Sequence, residues 1–266
     1  MSSTQPENAV HAVVSNQDGL YRNLEETVLK YASTRYLRPI ADHTRKAFDE
    51  VKQFVENFYR SQNNEPQMLQ QGGSYPRTII LDSGCGVGES TLHLARKFPG
   101  APVIGIDKSA VRLAKAGNEK QLQLLNDKES HAASNAFWVR AELLDFWRLA
   151  LYEVQAGRWQ IQFHAIYYPN PWPKESEATR RFHLHPIFPA LLALSPKTEL
   201  RTNWEIYARE FAEAARIVNA HAHSGTPTVS ESRITCEPFI PEEAETAFER
   251  KYKEAHQQLW RVFVIQ

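Results

Sequence analysis

The first quarter of the chain carries apolar residues at helical spacing. A first run comprises Leu24, Val28, Leu29 and Tyr31. A second run comprises Ala47, Phe48, Val51, Phe54, Val55 and Phe58. Both runs predict helices with one apolar face. Pro39 separates the two helices, because the residue before a proline avoids the helical region.

The pattern changes after residue 77. Short apolar segments that predict strands lie at 78–82, 102–107, 137–139, 164–168, 200–202, 233–235 and 260–265. Helical patterns lie at 89–98, 182–194 and 204–218, and a further helix is expected between the last two strands. Strands that alternate with helices of this length indicate an α/β fold with a doubly wound, mostly parallel sheet.

The two patterns predict two parts of unequal size. Residues 1–19 are polar without periodicity and predict a frayed tail. Residues 61–76 are rich in Gln, Asn, Gly and Pro and predict a linker. We therefore expect residues 1–76 to form a tail, a helical extension and a linker, and residues 77–266 to form the α/β domain.

Composition narrows the classes of function. Lys and Arg number 31 and Asp and Glu also number 31, so the formal net charge is zero, whereas a protein that binds many phosphates usually has a basic surplus. No apolar run approaches the roughly 18–20 residues of a membrane span, and the start lacks the pattern of a secretory signal. Two cysteines cannot form a disulfide framework, and no zinc-ligand spacing occurs. We expect a cytoplasmic protein without a metal site.

A glycine-rich turn joins the first strand of the α/β part to the next helix. Gly84, Gly86 and Gly88 let the backbone turn sharply and approach a ligand, but the third glycine of the dinucleotide motif is missing. Asp82 precedes the turn and could face an amino group, and Asp107 ends the next strand, where an acid holds ribose hydroxyls. These features favour S-adenosyl-L-methionine. A nicotinamide or flavin cofactor and a turn without a ligand are the alternatives.

A second motif, YYPNPWPK at 167–174, follows the fourth strand. Ligands of open parallel sheets bind at the carboxyl ends of the strands, so this segment is expected beside the cofactor. Tyr167, Tyr168 and Trp172 offer flat surfaces for stacking on a base. The alternative is a proline-rich aromatic loop that closes the core. The segment is also weakly similar to the N-P-P-[YF] loop of methyltransferases that act on exocyclic or amide nitrogens.

Several motifs in order resemble those of the bacterial tRNA (guanine-N7-)-methyltransferases. The family's F-P-D-P-W-x-K reads Y-P-N-P-W-P-K here, and its T-D-W-x-x-Y-A reads T-N-W-E-I-Y-A at 202–208. Its L-[ED]-x-G-x-G-x-G matches at 81–88, and its T-x-F-E-x-R matches from Thr246, with Lys251 in place of the arginine. The resemblance covers roughly residues 78–266. It implies a class I methyltransferase fold with a seven-stranded sheet, bound to S-adenosyl-L-methionine.

The resemblance also implies site residues. The implied cofactor-binding residues are Asp82, Gly84, Gly86, Gly88, Asp107, Lys108, Glu142, Leu143 and Asn170. The implied substrate-binding residues are Lys174, Arg180, Arg181, Asn203, Thr246, Phe248 and Glu249. Of these, Glu249, Thr246 and Asn203 are the candidates for catalysis, beside a guanine of tRNA. Lys174, Arg180 and Arg181 are the candidates for phosphate contact.

The chain departs from the family at the substrate side. Asn170 and Asn203 replace two aspartates, and the segment 175–179 is net acidic where the family is basic. Methylation of guanine N7 in tRNA is therefore the leading hypothesis. A methyltransferase for a small molecule or a protein side chain, with the tRNA surface lost, is the second, and a non-catalytic cofactor-binding relative is the third.

Overall fold

The computed structural model describes residues 13–61, 76–117, 134–223 and 233–266. The helices are α1 (Leu24–Ala32), α2 (Asp42–Ser61), α3 (Glu89–Lys97), α4 (Ala110–Leu113), α5 (Leu143–Gln155), α6 (Phe188–Leu192), α7 (Glu205–His223) and α8 (Ala247–Glu254). The strands are β1 (Arg77–Ser83), β2 (Val103–Asp107), β3 (Ala136–Arg140), β4 (Trp159–Tyr167), β5 (Lys197–Thr202), β6 (Arg233–Phe239) and β7 (Leu259–Ile265). Nearly all of the predicted linker lies outside the described residues. No described helix is long and apolar enough to cross a membrane.

The seven strands form one sheet in the order β3-β2-β1-β4-β5-β7-β6. β1 to β5 run parallel, and β7 runs antiparallel to both β5 and β6. The α/β part thus starts at β1 in the middle of the sheet, continues to the β3 edge, and then returns through β4 to form the other half. This confirms the predicted fold, a doubly wound, mostly parallel, seven-stranded sheet of the class I methyltransferase type. Because β1, β2 and β4 are neighbours, their carboxyl ends meet at one edge of the sheet.

The helix predicted at 182–194 is largely wrong. The segment forms a 3-10 turn at Phe182–Leu184, and only the helical turns of α6 follow. Pro186 explains the difference, because a proline removes a backbone donor and disfavours the helical conformation of the residue before it; His185 is extended, with φ −110° and ψ 146°. Pro189 lies in the first turn of α6, where a proline is tolerated. A second 3-10 helix, Glu175–Arg180, precedes this segment. The connection from β4 to α6 is therefore a series of tight turns.

Of the two N-terminal helices, α2 packs on the sheet and α1 packs on α7. Phe48, Val51 and Val55 of α2 are buried in the same core cluster as Ile79 of β1 and Phe146 of α5. This cluster fills the sheet face that also carries α6 and α7, whereas α3 packs on the other face. The helical extension thus covers part of the sheet, and the boundary at residue 76 stays a prediction.

A buried carboxylate fixes the segment before α1. Glu210 of α7 accepts hydrogen bonds from the Gln17 side chain (2.6 Å), the Tyr21 backbone (2.7 Å), Arg181 (2.7 Å) and His183 (2.8 Å). Burial alone would raise the pKa of Glu210, but the His183 hydrogen bond and the Arg181 charge lower that pKa well below its ordinary value. Burial lowers the pKa of His183, so Arg181 supplies the positive charge. The prediction of a frayed tail is wrong for residues 13–19; residues 1–12 lie outside the described residues.

A second buried carboxylate ties β1 to α3. Asp82 is 1% exposed, and its Oδ2 accepts hydrogen bonds from Ser90 and Thr91, both at 2.7 Å. Burial raises the pKa of the Asp82 carboxyl to about 6, although the two hydroxyl groups oppose the shift. The bonds hold the first turn of α3 against the end of β1 and so limit the conformations of the glycine turn between them.

Asp82→Asn is expected to change how stability depends on pH. An aspartate in the unfolded chain ionises near pH 4, whereas Asp82 in the folded chain keeps its proton to about pH 6. Since the folded state binds more protons in this window, the contribution of Asp82 to the free energy of unfolding falls as the pH rises through it. Relative to the wild type, the variant should therefore gain on the order of 2 kcal/mol between about pH 4 and pH 7. Urea titrations across this range measure the difference.

The matched control is Asp18→Asn, which removes an exposed aspartate that forms no ion pair in the described part of the chain. If Asp82→Asn and Asp18→Asn change the free energy of unfolding with the same dependence on pH, the effect does not come from the burial of Asp82.

Candidate functional site

A cavity of about 570 Å³ opens at the carboxyl ends of β1, β2 and β4. Its lining includes the aromatic residues Tyr167, Tyr168 and Trp172 of the second motif and, of the predicted cofactor- and substrate-binding residues, Gly84, Asp107, Lys108, Glu142, Leu143, Asn170, Arg180, Asn203 and Phe248. These residues come from distant parts of the chain, so the topology brings together most of the predicted cofactor side and part of the predicted substrate side. The remaining named residues lie behind the wall or away from it.

The glycine turn forms one wall of the cavity. Gly84, Gly86 and Gly88 all have positive φ angles, of 81°, 60° and 82°, which residues with a side chain rarely adopt. At Gly88 a Cβ atom would also lie 2.4 Å from Trp138 Nε1. Gly84 lines the cavity. Gly86 and Gly88 therefore shape the turn from behind.

Asp107 closes the turn at the end of β2. One carboxylate oxygen accepts the backbone N–H of Gly86 at 3.1 Å, and the other accepts that of Ser109 at 2.7 Å. The second oxygen also lies 3.2 Å from the guanidinium of Arg112, which is exposed at the cavity wall. A carboxylate has about four lone-pair positions, so Asp107 keeps the capacity to accept a hydroxyl group of a ligand.

Three further predicted cofactor residues line the same end. Lys108 follows Asp107, and its carbonyl accepts a hydrogen bond from Arg140 at 3.2 Å. Glu142 occupies the N-cap position of α5, and Leu143 is the first residue of that helix. Together with Asp107 they present carboxylate, apolar and backbone groups. Asp82, in contrast, does not line the cavity, because its carboxylate is buried and hydrogen-bonded to Ser90 and Thr91 of α3.

The loop after β4 forms the opposite wall and is strained. Tyr168 and Trp172 have φ angles of 51° and 46°, an unfavourable conformation for residues with a side chain. Arg181 donates two hydrogen bonds to the carbonyl of Trp172, at 2.9 and 3.2 Å, and the backbone of Trp172 donates to Asn170 Oδ1 at 3.4 Å. Arg180 lies over the Trp172 ring, 4.6 Å from its centroid. Such strain persists only where neighbours impose it, and it is frequent at functional sites.

The predicted phosphate contacts divide into three cases. Arg180 is exposed at the cavity, and Lys174 is exposed beside the loop. Arg181 is fully buried in its contacts with Glu210, Gln17 and Trp172, so its predicted contact with phosphate is wrong. Arg181 instead positions the loop.

Glu249 and Thr246 are also structural. Glu249 is fully buried, and its oxygens accept hydrogen bonds from Arg201 (2.9 Å), the Tyr168 hydroxyl (3.0 Å) and the backbone of Glu245 (2.7 Å). Thr246 caps α8 by accepting the backbone N–H of Glu249 at 3.0 Å. Neither lines the cavity. The burial of Glu249 contradicts its prediction as a catalytic group beside the substrate base, whereas the role of the half-buried Thr246 stays a prediction. Their helix cap fixes α8.

What α8 presents to the cavity is aromatic. Phe248 and Tyr252 line the cavity together with Tyr168. The Phe248 and Tyr252 rings stack at 6.2 Å, and Tyr168 lies 5.5 Å from Tyr252. Phe248 is 54% exposed, so the cluster faces the mouth. Sequence reasoning missed Tyr252, although its position four residues after Phe248 puts both rings on one helical face.

Two amide side chains line the cavity together with these aromatic rings. Asn170 and Asn203 both line the cavity, and Asn203 donates to Gln257 at 3.4 Å. The carboxylates that line the cavity are Asp107 and Glu142, both at the end formed by β2 and α5. Val13, in the segment before α1, is a further lining residue that no sequence pattern indicates.

Comparisons with known proteins agree with this arrangement. A family model described as "Putative methyltransferase" matches residues 76–262. The tRNA (guanine-N(7)-)-methyltransferase of Bordetella pertussis is 34% identical over 56% of this chain and 55% of its own length. That of Mycolicibacterium gilvum is 26% identical over 74% of this chain and 73% of its own. The chain thus spans about half the length of the Bordetella relative.

Two other kinds of similarity are weaker. Trans-aconitate 2-methyltransferase of Deinococcus radiodurans is 51% identical over 45 residues, 17% of each chain. Among solved structures, a 16S rRNA methyltransferase covers 87% of this chain and 97% of its own with 15% identity and a TM-score of 0.45. The family model covers more than two thirds of the chain. The chain therefore belongs to this methyltransferase family, as a divergent relative of the tRNA (guanine-N(7)-)-methyltransferases.

Proposed function

We propose that this protein transfers a methyl group from S-adenosyl-L-methionine to N7 of a guanine in tRNA. The observation that carries the proposal is that one cavity joins a glycine turn and an aspartate at the end of the second strand, at one end, to a cluster of partly exposed aromatic rings at the other. The first end suits a nucleoside cofactor, and the second suits a nucleic-acid base. The names of the relatives support the choice of tRNA.

The cavity has residues that suit S-adenosyl-L-methionine at one end. Its volume over both ends, about 570 Å³, lies in the usual range of ligand pockets. Asp107 would accept the ribose hydroxyls, Leu143 would contact the adenine, and the backbone at Gly84 allows close approach. Glu142 would accept a hydrogen bond at the nucleoside end. When bound, the cofactor supplies a methyl group on a sulfonium, which reacts with a nucleophile.

The substrate end suits a reaction that needs no general base. Guanine N7 carries a free lone pair, so the protein has only to hold the ring in line and to favour the positive charge that develops on it. Tyr168, Phe248 and Tyr252 would stack against the ring, and aromatic faces attract a cation. Asn170 and Asn203 would add amide oxygens. No free carboxylate stands among the described residues of this end, because Glu249 is bound by Arg201.

A small molecule or a protein side chain is the second candidate for the substrate. The specific observation in its favour is the pair Asn170 and Asn203, which can donate as well as accept hydrogen bonds and so match an amide or a carboxylic acid. The short match with trans-aconitate 2-methyltransferase is compatible with such a substrate.

Asp107→Ala is expected to weaken cofactor binding at least about tenfold. The change removes charge-assisted hydrogen bonds to the ribose, each of which is worth about 1.5–3 kcal/mol. Calorimetry with S-adenosylhomocysteine measures the affinity, and thermal melting checks that the variant is folded. Asp107→Asn keeps the shape of the side chain but removes its charge, so its affinity should lie between those of the wild type and of Asp107→Ala. A folded Asp107→Ala protein with wild-type affinity would remove Asp107 from the cofactor site.

Incubation with methyl-labelled cofactor tests the reaction. We expect label in unmodified tRNA, at a site that becomes cleavable by the treatment specific for 7-methylguanosine. The same label should be absent from the protein and small-molecule fractions of a cell extract. Label found only in one of those fractions would establish the second candidate and end the tRNA proposal.

The double variant Asn170→Asp with Asn203→Asp is expected to methylate tRNA faster. Carboxylates stabilise a developing positive ring better than amides do in a water-poor site, by about 1–3 kcal/mol of barrier, so kcat/KM should rise about tenfold. Single-turnover rates on unmodified tRNA measure the effect, and Asn203→Ala controls for the lost amide. If the double variant gains nothing on tRNA and loses activity on another substrate, the amides serve that substrate.

A further inference from the structure

A larger cavity, of about 1180 Å³, lies beside the first. We call it the extension cleft; its walls come from residues 32–52, from the second half of α5 and from α6. The two cavities share a wall. The Tyr36 ring of the cleft meets the His185 ring edge-on at 5.1 Å, and His185 lines the first cavity. The cleft and the first cavity are thus neighbours across the contact between Tyr36 and His185.

The cleft has an excess of positive charge. Its cationic lining residues are Arg35, Arg45, Lys52 and Arg148. Of the two carboxylates that line it, Asp49 pairs with Lys52 at 2.7 Å, and Glu153 is buried against an arginine that lies outside the cleft. Arg35 and Arg45 form no ion pair with any carboxylate in the described ranges of the chain. Two exposed guanidinium groups are thus available to an anionic ligand.

Aromatic rings lie between these cations. Arg148 stands over the Tyr36 ring, 5.4 Å from its centroid, and Tyr152 is 65% exposed. Arginine matches the geometry of phosphate, and an exposed tyrosine ring gives a base a surface on which to stack. Phosphates with stacked bases occur together in nucleic acid and not in an acidic protein. The chemistry of the cleft therefore favours RNA.

The cleft lies between the family domain and the helical extension. The family model begins at residue 76, whereas Arg35, Tyr36 and Arg45 belong to the helical extension. We infer that the extension cleft binds the sugar-phosphate backbone of the substrate RNA next to the nucleotide whose base enters the first cavity. This inference rests on the proposed RNA substrate. It gives a protein of zero net charge a local site for a polyanion.

The double variant Arg35→Ala with Arg45→Ala tests the cleft. Fluorescence anisotropy of labelled, unmodified tRNA, between about 50 and 200 mM salt, gives the affinity and its salt dependence. We expect the Kd to rise at least about tenfold at the lower salt, and the slope of log K against log salt to fall by about two for two lost phosphate contacts. Calorimetry with S-adenosylhomocysteine should give wild-type affinity and so show that the fold is intact.

The matched control is Arg96→Ala with Lys97→Ala, two exposed cations of α3 on the other face of the sheet. This control should bind tRNA as the wild type does. Equal losses of tRNA affinity in both double variants would show a general charge effect and overturn the inference about the cleft. An unchanged Kd and salt slope for the Arg35→Ala, Arg45→Ala variant would overturn that inference directly. Competition by polyglutamate as strong as that by RNA would overturn the assignment to nucleic acid.

The methylation assay keeps this inference separate from the proposed function. If the wild-type protein binds tRNA through Arg35 and Arg45 but labels no guanine, the proposed reaction is wrong and the inference about the cleft stands. If the wild-type protein labels guanine N7 while the cleft variant keeps its tRNA affinity, the inference about the cleft is wrong and the proposed reaction stands.

Discussion

The shape of the candidate site depends on an ion pair that does not touch it. Arg181 and Glu210 are both fully buried, and their charged atoms lie 2.7 Å apart. A buried carboxylate is stable only when its partners replace the lost water, and the four donors to Glu210 do so. The same guanidinium holds the carbonyl of Trp172, whose backbone is strained. One charge pair therefore fixes both the loop that bears Asn170 and the segment that bears Val13.

A second arginine determines what the substrate end lacks. Arg201 binds Glu199, Glu245 and Glu249, each at 2.9 Å, and lies over the Tyr167 ring. These three carboxylates are thus turned inward onto Arg201, and none of them lines the cavity. A cationic product ring would meet the faces of Tyr168 and its neighbours and the oxygens of two amides. Because Asn170 and Asn203 replace two aspartates of the family's motifs, this end of the cavity carries two negative charges fewer.

The sheet and the cofactor end could be predicted because their signals are local. Alternating strand and helix patterns set the topology, and Asp107 follows its strand by position alone. The contacts of Arg181 and Glu249 could not, because each depends on carboxylates or carbonyls from distant segments, and a charged residue is usually exposed. The bond between Gln17 and Glu210 joins residues 193 positions apart. Nothing in a polar, aperiodic stretch indicates such a partner.

Zero net charge is a weaker constraint on partners than it first suggests. At physiological salt the field of a surface charge decays over about 8 Å, so a phosphate responds to the charges beside it and not to the sum over the chain. In the described part of the molecule many carboxylates are already paired, among them Glu199, Glu210 and Glu249. Their charges count in the total but not at the surface. Exposed arginines such as Arg35 and Arg45 are then locally dominant, and the cleft that contains them makes a chain of zero net charge compatible with a polyanionic substrate.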